Sequence, residues 1–297
     1  MAAVRLRAVQ EDFPIVDAHQ HFWDPRVNYH PWLCDQPPIP FRYGDYSALR
    51  RPYLPADYFA DARPHRIVKT VYVETEWNPR DALGEMRYVG RLRCETGFPT
   101  VAVAQAWLDR DDLAATLDGL AQFDFVRGIR HKPRPGQVLE ARWRAGFAEL
   151  ARRGLRFDLQ APWALLGEAA QLARAHPDAR VILDHAGLPA DRGAEGIAGW
   201  KKALAGLAAC PNVAIKISGL GQPGKPWTAE SNREVVLAAI ERFGVERAMF
   251  ASNFPVDGLC GTFDAIVTGM RAIVHDLSAA EQRAFFHDNA IRIYDMG

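Results

Sequence analysis

His19 and His21 stand one residue apart at the end of a short β-branched run, IVDAH (15–19). Side chains two positions apart on a strand point the same way, so both imidazoles face one point. Such a pair suits binding a divalent cation or gripping a polar substrate atom. His185 closes a later run, RVILDH (180–185), directly after Asp184. Arg130 and His131 end VRGIRH (126–131), where strand alternation turns one inward and the other outward. An arginine only donates, so Arg130 can fork onto a carboxylate or form a structural ion pair. Glu74 ends IVKTVYVE (67–74) and can serve as metal ligand, base, partner to a histidine or rim ion pair. Lys216 and Ser218 share one face of VAIKIS (213–218), placed to touch substrate or to pack behind it. Trp23, Tyr29 and Trp32 are candidates to wall a pocket.

These residues need a scaffold that brings run ends together. Eight β-branched runs supply one: 15–19, 67–74, 100–104, 126–131, 155–160, 180–185, 213–218 and 247–252. Helical text separates them, as in RWRAGFAELARR (142–153), 164–176 and 230–243. Ser278 with Glu281 forms a capping-box pattern before a last helix. Strand–helix alternation of this kind predicts a (β/α)8 barrel, with chemistry at the C-terminal ends of its strands. A doubly wound open sheet would usually carry a Gly-rich phosphate loop after an early strand, and none is present. With no internal repeat or low-complexity linker, residues 1–297 read as one barrel domain. Residues 22–66 break the rhythm with dense prolines and aromatics. Prolines at that density disfavour regular helix or strand. A long loop after the first strand falls on the catalytic face, so the segment is expected to form a lid over the pocket, against the alternative of a surface elaboration packed by its own aromatics.

Composition narrows the function class. Lys plus Arg and Asp plus Glu number 36 each, so no net field favours nucleic acid or an anionic membrane. No uninterrupted apolar run approaches the ~20 residues of a membrane span. Cys34, Cys94, Cys210 and Cys260 are scattered without a CxxC pair, arguing against a structural zinc site and a disulfide framework. The opening MAAVRLRAVQEDFP lacks the apolar core of a signal peptide. A cytoplasmic protein is the expectation.

The motifs also resemble a known family. IVDAHQHFWDP is similar to the opening of the amidohydrolase-related family, in its lactonase branch. VRGIRH, ILDHAGLP (182–189), KISGL (216–220), FASNFPVD (250–257) and DNAIRIYDM follow in order, so the resemblance spans Ile15 to Met296. It implies a (β/α)8 barrel that hydrolyses a small lactone, from a sugar acid or from aromatic breakdown. The alternatives are a metal-dependent decarboxylase of an aromatic acid and a non-catalytic binder of a small ligand.

The resemblance also assigns roles. His19, His21 and His185 become candidate metal ligands and carbonyl-polarising groups. Arg130 becomes an anchor for a carboxylate or lactone oxygen, and Trp32 a pocket wall. Three departures stand out. Arg130 and His131 replace a metal-bridging lysine. Gln160 stands at a strand-five histidine position and is a poor zinc ligand, though it can hydrogen-bond substrate. Asn253 stands where an aspartate takes the proton of the attacking water, and an amide has no useful basicity. At most one divalent ion is therefore expected, zinc by preference, or none. The base moves to His185, His19 or His21, Glu74 or Asp257, the last favoured among the carboxylates. The expected partner is a small-molecule lactone, without nucleic acid or membrane, and a homodimer is compatible with the sequence.

Overall fold

A computed structural model describes residues 13–297. The N-terminal stretch read above for a signal peptide lies outside the described residues except for its last two positions. Eight strands, β1 (Ile15–Gln20), β2 (Ile67–Val73), β3 (Val101–Gln105), β4 (Val126–His131), β5 (Arg156–Leu159), β6 (Val181–Leu183), β7 (Val213–Ile217) and β8 (Ala248–Phe250), pair in chain order, all parallel. The (β/α)8 expectation holds. The seam between β8 and β1 is closed by backbone hydrogen bonds just past the end of β8. Asn253 N–H donates to the His19 carbonyl at 2.8 Å, and His21 N–H donates to that of Phe254 at 2.9 Å. Asp17 locks the same seam from inside the wall. It accepts from the Ser252 amide at 2.8 Å, the Ser252 hydroxyl at 2.5 Å and Tyr58 at 2.8 Å.

Helices α1 (Pro31–Cys34) and α2 (Pro55–Ala62) fall in the long segment after β1. Around the barrel run α3 (Gly84–Thr96), α4 (Leu113–Leu120), α5 (Ala141–Arg152), α6 (Leu166–Ala175), α7 (Ala194–Ala208), α8 (Ala229–Phe243) and α9 (Phe263–Ile273). The short α10 (Ala279–Arg283) and α11 (Asn289–Tyr294) end the chain. Their apolar faces pack on the barrel wall, with Trp143, Phe147 and Trp200 fully buried, each worth about 1.5–3 kcal/mol of burial. The capping box read at Ser278 and Glu281 forms.

Two local expectations are corrected. Residues 22–66 contain regular helix after all: α1 and α2 each begin on a proline, whose fixed φ and missing N–H are compatible with a first helical turn. The sixth strand stops at Leu183 rather than running to His185. His185 and Ala186 take left-handed backbone (φ 54° and 51°), and Gly187 and Leu188 also have positive φ. Trp200 Nε1 pins this turn by donating to the Ala186 carbonyl at 2.7 Å.

Candidate active site at the barrel mouth

The turn at His185 aims its ring back over the strand ends. The His19 and His185 ring centroids are 4.6 Å apart, and those of His19 and His21 are 4.9 Å apart. All three rings are buried. His21 and His185 line a cavity of about 290 Å³ together with Glu74, Arg130, Gln160 and Asn253. His19 lies against both rings and is not among the cavity's lining residues.

Each ring is oriented by a partner. His21 Nδ1 is 2.7 Å from the Val73 carbonyl, an acceptor, so Nδ1 carries the proton and Nε2 keeps its lone pair. His21 is also in hydrogen-bond contact with the Asn253 side chain. His185 Nδ1 meets the Ser218 hydroxyl at 2.9 Å. Gly219 makes room for this pair: a Cβ there would fall 2.7 Å from the His185 ring. His19 Nδ1 is 3.4 Å from both Lys216 Nζ and Asp184 Oδ1. Burial holds all three rings neutral, the largest effect in each case. Nearby cations add to it: Lys216 on His19, Arg130 on His21, which falls to about 3, and Arg42 on His185.

Below the rings lies an ion network that the sequence reading largely missed. Lys216 Nζ is hydrogen-bonded to Asp158 and 3.2 Å from Asp184 Oδ1, with all three side chains fully buried. Tyr294 donates to Asp158 Oδ2 at 2.7 Å. Burial and the charge of Asp184 raise Asp158 to about 6, although Lys216 opposes them. Asp184 moves the other way: burial is again the largest influence, but Lys216, His185 and Arg130 together outweigh it. Lys216 is thus a buried counter-ion rather than a cavity residue, and its face-mate Ser218 orients His185. Asp158 shares strand parity with Gln160, and Asp184 immediately precedes His185, so both were within reach of the sequence pattern.

Arg130 turns inward, as alternation allows. Its Nε donates to Glu74 Oε1 at 2.5 Å, Nη2 to the Glu74 carbonyl at 2.6 Å and Nη1 to Gln160 Oε1 at 2.9 Å. Its fork is occupied by protein. His131 turns outward, accepting from Leu108 N–H and Trp143 Nε1–H at 3.2 Å each. Glu74 Oε2 accepts from the Glu76 amide at 2.7 Å. Burial would raise Glu74, but Arg130 and Lys132 hold it below the usual carboxylate range.

Asp257 does not line the cavity. Its Oδ1 accepts from Asn253 Nδ2 at 2.6 Å and from Tyr43 at 2.8 Å, and burial raises its pKa. It reaches the site through Asn253, which has left-handed backbone at φ 55°. Residues 22–66 supply Trp23, Trp32, Ile39, Phe41 and Arg42 to the cavity. Trp32 Nε1 donates to the Thr75 carbonyl at 2.8 Å, tying the segment to the end of β2. The same segment packs on itself, Trp32 stacking on Phe41 at 5.8 Å. Tyr29 is exposed and bonded to Asp35, outside the wall.

The donor atoms of His19, Asp184 and His185 lie within 4.8 Å of one another. Among the described residues His19 Nε2 and Asp184 Oδ2 are buried without a hydrogen-bond partner, while Asp184 Oδ1 faces Lys216 Nζ at 3.2 Å. Two imidazoles and a carboxylate with unspent lone pairs fit one divalent ion such as zinc. His21 stands outside this cluster, with Nδ1 spent on Val73.

A family model for amidohydrolases matches residues 16–296. The Sinorhizobium fredii protein y4mH is 41% identical, covering 95% of this chain and 99% of its own. An L-fucono-1,5-lactonase of Burkholderia multivorans is 27% identical over 94% of this chain and 95% of its own. A solved amidohydrolase structure from Burkholderia multivorans with bound zinc superposes with a TM-score of 0.80 at 26% identity, covering 96% of this chain and all of that one. With its barrel, its strand-end histidines and this end-to-end match, the chain belongs to the amidohydrolase family.

Proposed function

We propose that this protein opens a small lactone by water attack at the barrel mouth. The observation that carries the reading is the facing of two buried, neutral imidazoles, His21 and His185, into one cavity that also holds Glu74, Arg130 and Asn253. Likeness to relatives named as L-fucono-1,5-lactonases supports an ester-type ring as substrate.

His21 is the base in this reading. Its Nδ1–H on Val73 fixes Nε2 as acceptor, and its depressed pKa keeps the ring unprotonated through the neutral range. Asn253, held by Asp257, orients the attacking water beside it. The water's proton passes to His21 as its oxygen bonds to the carbonyl carbon. The proton then leaves for the ring oxygen as the C–O bond breaks, giving a hydroxy acid. Storage on a weakly basic ring is brief, which suits an activated ester. Gln160, held through its oxygen by Arg130, keeps its amide N–H groups for the substrate. His19, Asp184 and His185 would hold the divalent ion, which supplies Lewis-acid polarisation of the carbonyl when bound.

The test is acid release from five- and six-membered sugar lactones and a carboxylated pyrone by zinc-replete protein. Turnover of at least one, lost in His21→Gln with folding retained, is the expected result. No turnover of any ring would overturn the reading.

A further inference from the structure

Three basic side chains line the cavity: Arg130, Lys132 and Arg42. Two are spent. Arg130 donates to Glu74 and Gln160, and Lys132 is hydrogen-bonded to Glu76. Arg42 differs. Its Nη1 is buried with no hydrogen-bond partner among the described residues. Its Nη2 is 3.8 Å from Asp257 Oδ1, a long contact to an oxygen that already accepts from Tyr43 and Asn253. The guanidinium is nevertheless held in place, 4.6 Å above the ring of Tyr43, whose hydroxyl is fixed on Asp257. A desolvated donor without an acceptor costs about 1–3 kcal/mol, a cost that an incoming anion removes. A guanidinium with a free edge matches the two oxygens of a carboxylate.

We infer that Arg42 is the specificity residue of this pocket, reading a carboxylate substituent on the ring of the substrate. The inference rests on the lactonase reading for the reaction and adds the substrate class: an acidic lactone rather than a neutral one. It moves the anchoring role from Arg130, each of whose three nitrogens is already bonded to Glu74 or Gln160, to a residue of the segment after β1. That segment brings the pocket's apolar wall as well, so one loop sets both the shape and the charge that the ring must match. A cavity of about 290 Å³ holds a six-membered ring with one such substituent.

Binding of two ring compounds without a scissile bond tests this apart from turnover. Tetrahydropyran-2-carboxylate and tetrahydropyran-2-methanol, titrated calorimetrically into the intact protein, differ only in the anionic group. The acid is expected to bind at least tenfold tighter. Arg42→Gln should abolish that preference while leaving the alcohol's affinity within about twofold, and Arg42→Lys should keep part of it. Equal binding of acid and alcohol by the native protein, or an acid preference that survives Arg42→Gln, would overturn the inference. Acid preference without turnover of any lactone would instead sink the reaction and leave the anion site standing. Turnover of neutral lactones with no gain for acidic ones would do the reverse.

Discussion

The rings of His19 and His185 meet with centroids 4.6 Å apart, one from β1 and one from the left-handed turn after β6, with Asp184 beside them. That meeting creates the donor cluster for a metal. His185→Asn tests it with little backbone cost, since asparagine tolerates φ near 54° better than most residues. Native protein purified without chelator should carry about one zinc per chain, the normal load of a single His/Asp/His site. The variant should lose most of it by elemental analysis. Unchanged zinc content would remove His185 from the ligand set.

Asn253→Asp replaces a donor by an acceptor 2.6 Å from Asp257 Oδ1. Two carboxylates that close cannot both ionise cheaply, so one pKa rises in the folded state. A raised folded pKa is destabilising above that pKa and relieved as pH falls through it. The variant should therefore be less stable than native by about 1–3 kcal/mol at pH 8, and the gap should narrow by pH 5. The added charge beside His21 should also tighten zinc binding. Melting curves at both pH values and a zinc titration measure the two effects. A gap that does not change with pH would mean that the new carboxylate turns away from Asp257.

Much of this site was legible because strand periodicity fixes direction. His19 and His21, Arg130 against His131, and Lys216 with Ser218 all follow from alternation along a strand. The remainder has no such period. Arg42 and Tyr43 lie in a proline-rich segment whose path is set by aromatic packing onto Trp32 and Phe41. The turn at His185 depends on Gly219, from a different strand end, leaving space for the ring. Asp257 looked like a base because its loop follows β8 directly. Its place behind Asn253 depends on Tyr43, which arrives from the segment after β1.

Gly219→Ala probes that cradle. The added Cβ would fall 2.7 Å from the His185 ring on a backbone at φ 63°, so both strain and contact oppose it. Loss of about 1–3 kcal/mol of stability is expected, together with a fall of tenfold or more in kcat/KM as His185 leaves Ser218. A variant that melts like native and turns over like native would show that the ring has room to spare.

Stability should fall on mild acidification. Burial depresses His21 to about 3 and His30 to about 4. Each ring is neutral in the folded chain but protonates near 6.5 once unfolded. A lowered histidine pKa gives stability that is complete above the unfolded value and is withdrawn as pH drops toward the folded one. Each ring should remove up to about 1.4 kcal/mol per pH unit between 6.5 and its folded pKa. His30→Phe, at a ring that packs behind the cavity wall on Thr75 without itself lining the cavity, should flatten the slope of unfolding free energy between pH 6 and pH 5. An unaltered slope would mean that His30 protonates in place.

Lys216 is expected to be the most costly single loss in the barrel mouth. Its ammonium lies between Asp158 and Asp184, and no water-facing surface is available to any of the three. Removing one partner of a buried ion pair leaves an uncompensated charge, at a cost of about 3–5 kcal/mol. Lys216→Met fills similar volume without the charge, so lost stability reports electrostatics rather than a cavity. Adding Asp158→Asn should recover part of the loss, because the amide keeps an acceptor for Tyr294 while removing one stranded negative charge. The two changes would then be non-additive, as expected for groups in direct contact. Urea denaturation of the native, single and double variants measures the coupling. Additive losses, or a cost for Lys216→Met below about 1 kcal/mol, would show that something other than this lysine balances the two aspartates.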